Sequence, residues 1–165
     1  MIKMKCENPN HPGNNENNLG EGHISEVLKE KGYFVQSSDI INRGYGCVID
    51  FLSFKPNKIN GDIITNPPFS KATDFLLKSM EILEVGSKLA LLLRIQFLEG
   101  VKRAEIFKKY PPKVVYVASR NMRCAKNGDF KNATGNASTY CWFIWEKGFS
   151  GNPTIKWFNN EASQR

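Results

Sequence analysis

One stretch constrains the chain more than any other: residues 62–69 read Asp-Ile-Ile-Thr-Asn-Pro-Pro-Phe. The stretch begins as a short apolar run of β-branched residues, which is typical of a buried parallel strand. Pro67 and Pro68 then end it, because proline can neither donate a ladder hydrogen bond nor continue a strand. In an open α/β sheet, ligands bind at the carboxyl ends of the strands. The sequence therefore predicts a stiff loop at a ligand-binding rim.

This loop offers three groups that suit a planar amine. The Asn66 carboxamide oxygen and the Pro67 carbonyl can accept from the two N–H groups, and the ring of Phe69 can stack on an aromatic base. The alternative is a proline turn after a strand with an incidental phenylalanine.

The length of 165 residues predicts a single domain over 1–165, in which 1–19 is loop-like or weakly ordered and 149–165 is a tail. Hydrophobic residues make up 41% of the chain and its mean hydropathy is −0.42, which indicates a soluble globular protein. No apolar run approaches the length of a membrane span, and the first residues show no secretory pattern. We therefore expect a cytoplasmic protein.

The cysteines and histidines argue against a metal site. Four cysteines are scattered without a Cys-x-x-Cys pair, so we expect neither a zinc site nor a disulfide framework, and a reducing environment. His11 and His23 lie far apart with no third ligand nearby, so the sequence predicts no bound metal.

The net charge of +7 is concentrated in one segment. Residues 100–131 hold nine Lys and Arg against Glu105 and Asp129, while the rest of the chain holds fourteen of each sign. A neutral domain with one basic segment is typical of a protein that binds phosphate backbones. The alternative is a solvated basic helix and loop. The candidate contacts are Arg94, Lys102, Arg103, Arg120, Arg123, Lys126 and Lys131.

Asp39 is a candidate ligand for ribose. The pattern predicts a helix from Ile24 after a glycine-rich turn, then a strand over residues 33–38 that ends at Asp39. The acid lies nineteen residues beyond Gly20, a spacing close to that of nucleoside-binding α/β units, where it accepts from ribose hydroxyls. The alternative is an ordinary turn residue.

Further along, the pattern predicts a regular alternation of elements. Ser70 is a candidate N-cap for a helix to about Leu83. The apolar run 89–93 predicts a central strand ending near Arg94, and 99–109 predicts a basic helix. Residues 114–119 and 139–145 predict an antiparallel hairpin around a polar loop at 120–138, and 154–157 an edge strand.

The chain resembles the S-adenosylmethionine-dependent DNA adenine methyltransferases, above all the small phage and prophage members with an Asn-Pro-Pro-Phe loop. The similarity covers about residues 20–148. It is carried by Gly-Glu-Gly-His, Ser-Asp-Ile, Arg-Gly-Tyr-Gly, Asp-Phe-Leu, Asn-Pro-Pro-Phe, Phe-Leu-Glu-Gly and Trp-Phe-Ile-Trp-Glu-Lys-Gly. The order of elements is that of a Rossmann-like methyltransferase, an α/β sheet that is mostly parallel with a C-terminal antiparallel hairpin.

The resemblance implies methyl transfer from S-adenosylmethionine to the exocyclic amine of adenine in DNA, with base flipping. Residues 66–69 (Asn66, Pro67, Pro68 and Phe69) would hold the target base. Gly20, Glu21, Gly22 and Asp39 would bind the cofactor. Asp50 would accept from the cofactor's adenine amine, while Phe51 or Ile40 packs against its ring. The alternative for Asp50 is a cap on the next turn.

The chain departs from the family before Gly20, where no hydrophobic strand precedes the glycine-rich turn. We therefore expect the first central strand of the sheet to be missing or degenerate. Two other functions stay open: a degenerate nucleic-acid-binding relative that no longer turns over, and an amine methyltransferase acting on RNA or protein. The expected partner is nucleic acid, with DNA preferred over RNA, and we expect no membrane association. The protein is expected to be a monomer or a small oligomer, with or without a partner subunit.

Overall fold

The computed structural model describes residues 23–42, 46–120 and 138–159. The described residues form three α-helices, two 3-10 turns and seven strands. In order they are α1 (His23–Glu30), β1 (Ser38–Asp39), β2 (Cys47–Val48), β3 (Ile63–Thr65), a 3-10 turn (Phe69–Lys71), α2 (Ala72–Ile82), β4 (Lys88–Arg94), a second 3-10 turn (Ile95–Leu98), α3 (Val101–Lys109), β5 (Val114–Ala118), β6 (Tyr140–Glu146) and β7 (Thr154–Phe158).

Five strands form the main sheet, in the order β3-β4-β6-β5-β7. Four of them run in one direction, and β6 runs antiparallel between β4 and β5. This confirms the predicted α/β class, with a mostly parallel sheet and a C-terminal antiparallel hairpin. The predicted strand at 154–157 is also found, at the outer edge of the sheet beside β5.

The core lies on one face of this sheet. Leu89, Leu91 and Leu93 alternate along β4 and are almost completely buried, as a period of two requires. Phe143 lies opposite Leu91 on β6 and is fully buried, and Leu76 of α2 belongs to the same cluster. Burial of a large apolar side chain contributes about 1.5–3 kcal/mol, so these contacts fix the position of β4 and of the loops at its end.

The cysteines differ from the expectation in one respect. Cys47 is disulfide-bonded, so the expectation of no disulfide framework is wrong at this position. Cys141 is a free thiol on β6, and its burial raises its pKa to about 11.

The first central strand, which the sequence predicts to be missing or degenerate, would lie beside β3 on the edge away from β4. Within residues 23–42, 46–120 and 138–159, β3 is a terminal strand of the main sheet, and β1 pairs only with β2 in a separate parallel ladder. The described residues thus contain no strand beside β3. The glycine-rich turn and the loop predicted at 1–19 lie outside them.

Two local predictions are wrong. The strand predicted over residues 33–38 is limited to Ser38–Asp39, because only these residues find a partner in β2; Tyr33 and Phe34 are exposed. Ser70 does not cap the helix, because it lies inside the 3-10 turn and α2 begins at Ala72 without a side-chain cap.

No helix of the described chain is long and apolar enough to cross a membrane. The same residues hold no group of three or more His, Cys, Asp or Glu side chains that could bind a metal ion.

Candidate active site

The loop after β3 is held in a defined shape. Asn66 follows the last residue of the strand, and Pro67 is buried. Pro68 has φ −54° and ψ 130°, the extended conformation that a proline ring favours, and its carbonyl accepts the N–H of Lys71 at 2.8 Å. Because the prolines and this hydrogen bond fix the backbone, the loop does not need a ligand to adopt its shape.

Within the described residues, the two predicted acceptor groups have no hydrogen-bond partner. Neither the Asn66 side chain nor the Pro67 carbonyl takes part in a hydrogen bond within the described residues, whereas the Pro68 carbonyl is occupied. Asn66 is exposed and Pro67 is buried. A carbonyl or carboxamide oxygen with no donor in the protein can accept from a ligand, so a ligand that brings N–H groups to this loop gains hydrogen bonds.

Phe69 meets two residues from neighbouring strands. Arg94 is the last residue of β4 and Tyr140 the first of β6, and the antiparallel register places them opposite each other. The Arg94 guanidinium carbon lies 4.8 Å from the centre of the Phe69 ring, and the Phe69 and Tyr140 rings are 6.1 Å apart. Phe69 remains 45% exposed, so its ring has surface left for a stacking partner.

Tyr140 was not among the residues predicted from the sequence. It is 2% exposed and supports Phe69 from below the rim. Its position in the sequence contains a usable signal: a strand that returns antiparallel begins at the rim where its parallel neighbours end.

Asp39 lies at the end of β1. Its carboxylate accepts the N–H of Ile41 at 3.0 Å, which holds the side chain at the end of the strand. Gly46, just before β2, has a φ of +75°, and a Cβ there would collide with the Ser37 carbonyl, so this position requires glycine. The predicted ribose ligand is thus a strand-end carboxylate on β1, beside the start of β2.

Asp50 caps the following turn, which is the alternative the sequence left open. Its two oxygens accept the N–H of Leu52 at 3.0 Å and the hydroxyl of Ser53 at 2.5 Å. The Ser53 hydrogen bond, followed by that of Leu52, holds the pKa of Asp50 below its ordinary value. A ligand for this carboxylate would share it with the turn.

Of the two candidates for packing on the cofactor's ring, Ile40 has the free surface. Phe51 is 5% exposed and stacks on Phe75 of α2 at 4.9 Å, so it belongs to the core. Ile40 is 64% exposed beside Asp39.

The predicted phosphate contacts differ in their surroundings. Lys102 is exposed near the start of α3 and Arg120 is exposed just beyond β5, both on the rim where β3 and β4 end. Arg103 is half-buried over the ring of Phe97, 5.3 Å from its centre, and its guanidinium donates to the Gln96 carbonyl at 3.5 Å. Arg103 thus packs partly against the core, and fewer of its donors are available for a phosphate.

A cavity of about 720 Å³ lies elsewhere, near the amino ends of β3 and β4. Leu28 of α1, Ile64 and Ala90 are among its lining residues, and neither Asn66 nor Phe69 is. This cavity therefore lies apart from the candidate site.

Six predicted site residues lie outside the described residues. They are Gly20, Glu21 and Gly22 of the cofactor turn and Arg123, Lys126 and Lys131 of the polar loop. Their roles stay predictions.

Comparison with solved structures identifies the fold as that of the class I S-adenosylmethionine-dependent methyltransferases. A protein assigned to that class from Listeria monocytogenes matches with a TM-score of 0.54 at 12% identity, over 86% of this chain and 55% of its own. This chain thus spans about half the length of that protein.

A complex of M1.HpyAVI with S-adenosylmethionine also matches, with a TM-score of 0.33 at 12% identity, over 61% of this chain and 58% of its own. That score is too low to support an argument. No protein-family model and no curated protein matches the chain. The comparisons therefore define the fold, and the function has to be argued from the site.

Proposed function

We propose that this chain is an S-adenosylmethionine-dependent methyltransferase that acts on the exocyclic amine of adenine in DNA. The observation that carries the proposal is a pair of acceptors, Asn66 and the Pro67 carbonyl, that find no donor in the described part of the chain and lie beside the exposed ring of Phe69. Two acceptors and an aromatic face match an amino group attached to a planar base. The methyltransferase fold supports the same interpretation.

The cofactor side fits the proposal at Asp39. A strand-end carboxylate held by the Ile41 N–H can accept from ribose hydroxyls, and the exposed Ile40 next to it can cover an apolar ring. S-adenosylmethionine, when bound, supplies a methyl group attached to a positively charged sulfur. Such a group needs no metal to react, only a nucleophile placed in line with it.

The acceptor residues would turn a poor nucleophile into an adequate one. The amine lone pair of adenine is delocalised into the ring. Asn66 and Pro67 would accept both amine hydrogens and favour a pyramidal nitrogen whose lone pair faces the methyl group. The nitrogen–carbon bond then forms as the sulfur–carbon bond breaks, the sulfur keeps the electron pair, and the amine proton passes to solvent. Correct placement of two bound reactants supplies about 7–11 kcal/mol.

Phe69 and the basic residues would bring the base to this point. An adenine inside a duplex is out of reach, so it has to flip out at a cost of a few kcal/mol. Stacking on an aromatic ring contributes about 1–3 kcal/mol per base and offsets part of that cost. Arg94, Lys102 and Arg120 lie on the same rim and would contact the phosphates.

The test is methyl incorporation from labelled S-adenosylmethionine into adenine-containing DNA. We expect Asn66→Ala to lower the rate on the order of 10²-fold or more, the scale observed when one preorganised hydrogen-bonding group is removed from an active site. Its affinity for the cofactor should stay within a few-fold. Asn60→Ala is the matched control, since Asn60 is an exposed asparagine at the opposite end of β3. An Asn66→Ala variant that still methylates at the wild-type rate contradicts the assigned role.

Two outcomes would select the alternatives. Incorporation into RNA or protein but not into DNA would leave an amine methyltransferase with another acceptor. A degenerate relative is favoured by the lack of a described strand beside β3, and calorimetry showing no binding of S-adenosylmethionine would leave that function alone.

A further inference from the structure

Arg94 is an exposed cation that faces no anion among the residues the structure describes. It ends β4 at the same rim as Asn66. Within the described residues it makes no hydrogen bond or ion pair, in contrast to Lys71, Lys78, Lys108 and Lys113, which each face a carboxylate. All five of its N–H donors therefore remain for a ligand.

The ring of Phe69 holds this cation in place. The guanidinium carbon is 4.8 Å from the ring centre, within the range of a cation–π contact, and the buried Tyr140 supports Phe69 in turn. A long side chain fixed in this way loses less conformational entropy when it binds.

Arg103 provides a comparison within the same chain. It also lies over a phenylalanine, Phe97, but it is half-buried and donates to the Gln96 carbonyl. One arginine thus packs on the core, and the other presents its donors at the rim.

We infer that Arg94 binds an anionic group of the acceptor next to the methylated amine, which in DNA is a phosphate flanking the target nucleotide. Phe69 and Arg94 then recognise a base and its phosphate together. The guanidinium suits this group, because it can donate two parallel hydrogen bonds to a phosphate. The inference rests on the proposed function and narrows its acceptor: an amine with no neighbouring anion, such as an isolated glutamine side chain, would be a poor substrate.

The experiment removes the charge first from the DNA phosphates and then from Arg94. The affinity of a single-stranded oligodeoxynucleotide with one adenine is measured by fluorescence anisotropy. A second oligonucleotide replaces the two phosphates flanking that adenine with neutral methylphosphonates. The proteins are the wild type, Arg94→Gln, Arg94→Lys and the control Lys88→Gln. Lys88 is an exposed cation at the other end of β4.

We expect neutralisation of the two phosphates to weaken binding about tenfold for the wild type and for Lys88→Gln. Arg94→Gln should bind the ordinary oligonucleotide about tenfold more weakly and show no further loss with the neutral one. Its dependence of log affinity on log salt should be shallower by about 0.7, the contribution of one phosphate contact on a single strand. Arg94→Lys, which keeps the charge, should restore that slope.

Additive losses from Arg94→Gln and from the neutral phosphates would overturn this inference and leave the proposed function standing. A wild-type protein that binds neither oligonucleotide would overturn both.

Discussion

The strands that carry Asn66 and Arg94 lie against a closed apolar core, whereas the ladder that carries Asp39 is surrounded by exposed apolar side chains. We call β3, β4, β6 and α2 the acceptor side, and α1, β1 and β2 the cofactor side. On the acceptor side Ile63, Leu91 and Phe143 are fully buried. On the cofactor side Phe34 is 67% exposed, and Val27 and Val48 are more than half exposed.

This difference indicates which part of the site is preorganised. The rim that would hold the base is fixed by a core that needs no ligand. The cofactor side consists of one short helix and two strands of two residues, which cannot bury enough apolar surface to be stable alone. Its exposed apolar surface has to be covered by bound cofactor, by the rest of the chain or by a partner.

The largest expected effect comes from replacing one phenylalanine by alanine on each side and comparing the loss of stability. Phe143→Ala should lower the free energy of unfolding by about 3–5 kcal/mol, because it opens a cavity in the core of the acceptor side. Phe34→Ala, on the cofactor side, should change it by no more than about 0.5 kcal/mol. Urea unfolding followed by tryptophan fluorescence measures both. Equal losses would mean that the cofactor side is packed as well as the acceptor side.

Much of this contrast follows from local sequence, and the rest does not. The β4 strand was predictable because a continuous apolar run has to be buried on both faces. The end of β3 was predictable because Pro67 and Pro68 cannot continue a strand. Residues 33–38 looked like a strand by composition, but a strand needs a partner, and only Ser38–Asp39 finds one.

The contacts of Phe69 required the fold itself. Tyr140 is far away in sequence, and only the register between β4 and β6 brings it to the rim. The roles of Asp50 and Phe51 were undecided for the same reason. Either could face a ligand or the chain. A local hydrogen bond from Ser53 occupies Asp50, whereas a tertiary contact with Phe75 places Phe51 in the core.

The second prediction concerns which part of the chain bound cofactor stabilises. With S-adenosylmethionine at about 100 times its dissociation constant, stabilisation reaches about 2.7 kcal/mol, or roughly 100-fold in amide protection. If the cofactor covers the weak side, this gain should be largest at the amides of β1, β2 and their connection. Hydrogen exchange with mass spectrometry measures it, with the amides of β4 as the internal reference. A gain that is equal on both sides would show that the two sides open as one unit.

The smallest expected effect concerns two carboxylates, Glu146 and Asp50. A hydrogen bond lowers the pKa of each, but the donor is distant in sequence for Glu146 and local for Asp50. On the acceptor side, Glu146 accepts from Lys113 at 2.7 Å, and this hydrogen bond lowers its pKa and joins β6 to the start of β5. Asp50, which follows β2, bonds within the described residues only to its own turn, at Leu52 and Ser53. A lowered pKa means that the contribution to stability is present above the ordinary carboxyl range and is lost as the pH falls through the lowered value.

Acid should therefore weaken the global fold through Glu146 and only a local turn through Asp50. Between about pH 6 and about pH 3, the urea midpoint should fall less steeply for Glu146→Gln than for the wild type, while Asp50→Asn should follow the wild type. The difference is small because the pair is partly exposed and screened by solvent. If Asp50→Asn flattened the pH dependence as much as Glu146→Gln, the turn after β2 would be unfolding with the core, and the contrast between the two carboxylates would not hold.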